Sequence, residues 1–126
     1  TMADFILDGI MGLAVDDVLG VPVELESRAS LSKNPVVGMR AYGTYNQTAG
    51  TWSDDTSMTL ALADSLTRGL NYNDIMDNFI KWYEYGEFTP HGEVFDVGIA
   101  TTNCRDFFIV RFFLAPGQGE LFAIEE

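Results

Sequence analysis

The chain has 126 residues, with seven Lys and Arg against nineteen Asp and Glu, one His and one Cys. That length suits one domain with a real core, and 47% apolar with 21% charged residues is a globular composition, not a disordered one. A net charge of −12 excludes general nucleic-acid binding, which needs Lys and Arg to displace counterions from phosphate, and it disfavours anionic lipid.

A single Cys cannot form an internal disulfide, so nothing asks for an oxidising compartment. No stretch approaches the ~20 apolar residues of a membrane span, and Met2–Asp8 is too acidic and too short for a signal peptide. The expectation is a soluble cytoplasmic protein with no membrane partner. Thr1 ahead of Met2 reads as a residue left by expression.

From Asp4 to Leu19, apolar residues recur at intervals of three and four (Phe5, Ile6, Ile10, Met11, Leu13, Ala14, Val18, Leu19), which predicts an amphipathic helix. Gly9 and Gly12 lower its propensity and read as sites for a close neighbour. Gly20 and Pro22 end it. Residues 24–50 decay into Ser, Asn, Pro and Gly, a long irregular connection of the kind that is often functional. Ser53 is a good N-cap, with Asp54 and Asp55 in a first turn whose dipole favours anions. Met58, Leu62 and Leu66, beside Ala61, predict a buried stripe that ends at Gly69.

Asn71 or Asn73 opens a further helix, with Ile75, Phe79, Ile80, Trp82 and Tyr83 inward and Gly86 as its stop. Pro90-His91-Gly92 forms a turn, and a fourth helix is expected from near Asp96 through Thr102. No run alternates with period two, so the fold class is all-α. Phe107–Leu114 holds four of the nine Phe without a clean helical face. A strand, a buried helix and an association surface are all open for it.

Two readings are open for Ser53-Asp54-Asp55-Thr56. Hydroxyl and carboxylate oxygens are hard donors suited to Mg²⁺ or Mn²⁺, and the same residues also make an ordinary helix start. Asp16-Asp17, followed by Glu24, could converge on such a site or supply an acid or base. Alternatively they are a solvated terminus, although carboxylates sit unfavourably at a helix C-terminus. His91 has no partner at metal spacing and reads as a surface residue. Cys104 reads as a small buried side chain. There is no P-loop and no dinucleotide fingerprint.

Gly12-Leu13-Ala14-Val15-Asp16-Asp17-Val18-Leu19-Gly20-Val21-Pro22-Val23-Glu24 resembles the opening motif of the ADP-ribosylglycohydrolase family, relatives of dinitrogenase-reductase-activating glycohydrolase. Gly50-Thr51-Trp52-Ser53-Asp54-Asp55-Thr56-Ser57-Met58 is similar to that family's metal-binding signature. Gly86–Gly92 through Asp96–Thr102 resembles its third block. The resemblance implies an all-helical bundle, a truncated form of the family's fold. It also implies two Mg²⁺ or Mn²⁺ ions and hydrolysis of the glycosidic bond between ADP-ribose and an acceptor. Water would attack the anomeric carbon, with the ions orienting ribose hydroxyls and nearby carboxylates stabilising an oxocarbenium-like state.

Carried over by residue, Ser53, Asp54, Asp55 and Glu24 would be metal ligands, with Glu24 and Asp55 catalytic. Asp17, Asp96 and Gly98 would serve the substrate side, Asp17 supporting the site from beneath. Ser53 stands where the family usually has Thr, and Asp16 where it has Gly. Family members are about twice as long or more, and their later half brings an Asn-Gly-rich loop and a second acidic metal cluster. Glu120, Glu125 and Glu126 do not reproduce that cluster. Two octahedral ions need roughly twelve oxygen positions, more than these four residues fill.

The expected organisation is therefore one domain, family-like over residues 2–102, with a divergent Phe-rich tail over 103–126 that a truncated or frame-shifted gene would produce. The partners implied are an ADP-ribosylated protein or a small ADP-ribose conjugate. A homodimer or higher homo-oligomer is expected through Phe107–Leu114. The alternative is a non-catalytic remnant that forms a stable homo-oligomeric helical module.

Overall fold

Among the described residues, three longer helices follow period-three-and-four patterning and end signals, and a short helix joins the first two. The structure, a computed structural model, describes residues 1–99 and 101–103. Helix α1 spans Met2–Gly20 and passes into a 3-10 turn, Val21–Val23, where Pro22 tolerates the first helical position but cannot continue the ladder. Helix α2 is short, Arg28–Lys33, with Ser27 accepting from the Ser30 N–H at 3.2 Å. It is the one regular α-helical piece of the long connection, and the sequence reading missed it. A second 3-10 turn, Gly43–Tyr45, packs against the first.

Helix α3 spans Asp54–Leu66 and helix α4 Tyr72–Tyr85. Asn71 caps α4 by accepting from the N–H groups of Asn73 and Asp74, at 3.0 and 3.2 Å. Gly86, at φ +68°, closes it in the left-handed conformation. A Cβ at Gly86 would overlap the carbonyl of Gly92, so this turn requires glycine twice over. Among the described residues there is no strand, only an isolated bridge between Tyr42 and Gln47. The all-α class therefore holds. No helix among them is long and apolar enough to cross a membrane.

The core lies in the α3–α4 seam. From α4, Ile75, Asn78 and Trp82 are buried at a spacing of three and four. From α3, the buried residues are Thr56, Ser57, Ala61 and Ser65. This corrects the expected stripe, because Leu62 and Leu66 are 37% and 47% exposed. Small side chains at 57, 61 and 65 let α4 approach closely, and Trp82 is buried on the α4 side. Their polar groups are satisfied: Asn78 donates to the Ala61 carbonyl and to Asp64, both at 2.9 Å, and Ser65 donates to Asp74 at 2.5 Å. Arg68 closes the helix ends through Asp64 at 2.9 Å and Asp74 at 2.8 Å.

Helix α1 differs. Only Val18 is buried, while Phe5, Ile6, Leu7, Met11, Leu13 and Val15 stand exposed. No described residue approaches Gly9 or Gly12, so the close neighbour expected there is not found. The expected fourth helix begins later than Asp96. Asp96 sits at φ +54°, and helical geometry starts at Ile99, with the Thr102 N–H donating to the Gly98 carbonyl at 3.0 Å. Cys104, the Phe107–Leu114 run and the terminal acids lie outside the described residues.

Candidate functional site

A helix N-terminus presents N–H groups without intrahelical partners and a positive dipole end. At the start of α3 these are not met by the N-cap itself, since the Ser53 side chain makes no capping bond. Asp17 of α1, thirty-six positions earlier, supplies the carboxylate instead. One of its oxygens accepts from the Ser53 N–H at 2.9 Å, the Thr56 N–H at 3.1 Å and the Thr56 hydroxyl at 2.6 Å. The other accepts from the Ser53 hydroxyl at 2.5 Å. This explains an acid at the unfavourable end of α1: the positive end of α3 compensates it. It also orients the backbone that carries Asp54 and Asp55.

Above this clamp the fold gathers carboxylates. The Val21–Val23 turn delivers Glu24, whose carbonyl accepts from the Thr44 hydroxyl at 2.6 Å. A Cβ on Gly43 would overlap the Pro22 carbonyl, so only glycine, here at φ +61°, lets the two 3-10 turns meet. Desolvation pushes the Glu24 carboxyl above its ordinary value, and hydrogen bonding and charge from Asp96, then the charge of Asp54, push the same way. Partial burial raises Asp54 too, reinforced by Asp55 and Asp96. Tyr45 is held upward by its burial and by Asp96 and Glu24. Its ring packs on Phe95 with centroids 5.5 Å apart, placing the hydroxyl among these acids.

Glu24, Asp54 and Asp96, drawn from three segments, thus interact, while Asp55 acts on its neighbour Asp54. Ser53 is buried beneath them, Asp55 is exposed, and Asp17 is engaged from below by α3. Gly98 is exposed, and its carbonyl starts the last helical turn. Sequence reasoning missed Tyr45, which lies in the irregular connection and carries no motif. It also missed the bonds that His91 makes to Thr48 and Thr51, although the turn and the surface position expected of His91 are found.

The donors fit a hard divalent cation in kind. They are carboxylate and hydroxyl oxygens. In number they fall short: among the described residues no three His, Cys, Asp or Glu side chains stand close enough to hold a metal ion.

Residues 1–118 match the sequence profile of the ADP-ribosylglycohydrolases. The chain belongs to the ADP-ribosylglycohydrolase family. The profile match runs past Thr102, where the motif pattern fades to the eye. Among curated relatives, the chain is similar to the ADP-ribosylarginine hydrolase Tri1 of Pseudomonas putida (strain GB-1), 38% identical over 99 residues, 77% of this chain and 26% of the relative. It is also similar to the ADP-ribosylarginine hydrolase Tri1 of Serratia proteamaculans (strain 568), 34% identical over 102 residues, covering 79% of this chain and 27% of the relative. The ADP-ribosylglycohydrolase segment present here thus spans about a quarter of the length of these relatives.

Proposed function

We propose that this chain carries the first portion of the active site of a metal-dependent hydrolase that cleaves the bond between ADP-ribose and an acceptor, with arginine as the acceptor group. The observation that supports the reading is the Asp17 clamp, which fixes the Ser53–Thr56 backbone from which Asp54 acts electrostatically with Glu24 and Asp96. Family membership and two relatives named as ADP-ribosylarginine hydrolases support the reaction class.

Ser53, Asp54, Asp55 and Glu24 would supply only part of the oxygen donors for Mg²⁺ or Mn²⁺, and an ion completed from elsewhere would supply positive charge to orient ribose hydroxyls. Glu24, whose carboxyl is raised, suits holding and passing a proton as water adds to the anomeric carbon and the acceptor nitrogen leaves protonated. The remaining carboxylates stabilise the positive charge that develops on the sugar. The substrate would be an ADP-ribosylated protein or a small ADP-ribose conjugate.

The test is release of ADP-ribose from an ADP-ribosylated arginine peptide in Mn²⁺. Release that disappears in Asp54→Ala/Asp55→Ala supports the reading, and release unaffected by that variant refutes it. The short donor set and the exposed apolar α1 favour a second reading, a non-catalytic homo-oligomeric module. No release by a folded, oligomeric protein would establish it.

A further inference from the structure

Thr51 and Trp52, the two residues leading into Ser53, each send a side chain across to the turn between Gly86 and Gly92. Trp52 donates its indole N–H to the Phe88 carbonyl at 3.1 Å. Thr51 is only 3% exposed, and its hydroxyl lies 3.0 Å from Nε2 of His91. The Thr48 hydroxyl is 3.2 Å from that of Thr51 and 3.3 Å from the same Nε2. One ring nitrogen therefore closes a triangle with two hydroxyls, across a turn whose backbone closes through the Thr51 N–H to the Thr48 carbonyl at 3.3 Å.

We propose that His91 is a positioning residue. Its Nε2 pins the Thr48–Thr51 turn and, through it, the backbone that presents Ser53 and Asp54. The Ser53 segment is then held from two sides. Asp17 fixes it from α1, and the Phe88–His91 turn fixes the residues just before it. Without His91, the buried Thr51 hydroxyl keeps only Thr48 among the described residues, and a poorly satisfied buried hydroxyl drives local rearrangement. Gly50 lies beside it at φ +85°, and no described residue approaches the space a Cβ there would take, so the loop's backbone on that side is unbraced.

The proposal rests on Ser53 and Asp54 being ligands only where metal affinity is the readout, so the test has two arms. In the first, hydrogen exchange by mass spectrometry compares wild type, His91→Ala and His91→Gln, whose amide can replace Nε2. Faster exchange across residues 48–55 in His91→Ala, with α4 still protected and Gln restoring protection, is expected. Unchanged exchange over 48–55 in His91→Ala overturns the proposal, as does a Gln variant that behaves like Ala. If Ala loosens α4 as well, the Gln variant and Thr51→Val decide instead. Protection kept in Gln and lost over 48–55 in Val supports the pin, and any other pairing overturns it.

In the second arm, Mn²⁺ calorimetry should show affinity about five- to tenfold weaker in His91→Ala, with Thr51→Val giving the same loss and no further loss in the double variant. Additive losses overturn the proposal. Exchange that responds as expected in a protein that binds no Mn²⁺ refutes the ligand reading and leaves the pin standing.

Discussion

Asp17 bears more on this site than its place in the chain suggests. Four donors from α3 converge on its carboxylate, two of them backbone N–H groups that α3 cannot satisfy alone. Asp17→Asn turns an NH₂ toward these donors, so urea unfolding should show a loss of about 2–4 kcal/mol. The neighbouring exposed Asp16→Asn should be near neutral, and equal effects would contradict the clamp. Gly43→Ala should cost about 1–3 kcal/mol by the same measurement, because it meets both a left-handed backbone and the Pro22 carbonyl. In the sequence, the acid pair at the wrong end of α1 hinted at a compensating partner. Its identity was not legible, since a contact across thirty-six positions leaves no local pattern.

Helices read well from their ends and poorly from their faces. Gly20 with Pro22, Ser53, Asn71 and Gly86 mark boundaries through local backbone chemistry, and each stands at or beside the boundary found. The buried face of α3 was misread because Leu at 62 and 66 outweighs Ser and Ala on any hydrophobic pattern. What decides it is the close approach of α4, where Asn78 donates to the carbonyl of the fully buried Ala61 and leaves room only for small side chains. Ala61→Leu should therefore cost about 1–3 kcal/mol through overpacking, and Leu62→Ala distinctly less, both by thermal or urea unfolding. The reverse order would contradict the seam described here. Helix α2 had no legible signal beyond Ser27, because six residues are too few to show a period.

For the whole molecule, acidic carboxylates act in two opposing groups. Ser65 and then Arg68 hold Asp74 below its ordinary value, and Asn78 and then Arg68 do so for Asp64, so their stabilisation is present at neutral pH and is lost as pH falls through their depressed values. Glu24 and Asp54 have raised values, so their ionised forms oppose folding at neutral pH, and protonation relieves this as pH falls toward their unfolded values of 4.5 and 3.8. Glu24→Gln/Asp54→Asn should raise the melting temperature at pH 7 without metal, with a gain that vanishes below about pH 4. A gain that persisted in acid would place the effect elsewhere. The apolar side chains exposed on α1 are a face that no described residue covers, and self-association is a proposal for it. Light scattering coupled to size exclusion should give a dimer or larger, and a monomer at high concentration would remove that proposal.

The family's motifs made the acidic residues legible one by one, while their convergence with Tyr45 came only from the meeting of two 3-10 turns. The most direct test of that convergence is calorimetric titration of metal-free protein with Mn²⁺, beside a Ser53→Ala/Asp54→Ala/Asp55→Ala variant. Saturable micromolar binding in the wild type that disappears in the variant is the predicted result. Heats that do not differ between the two would contradict the account and leave these residues as the start of a helix.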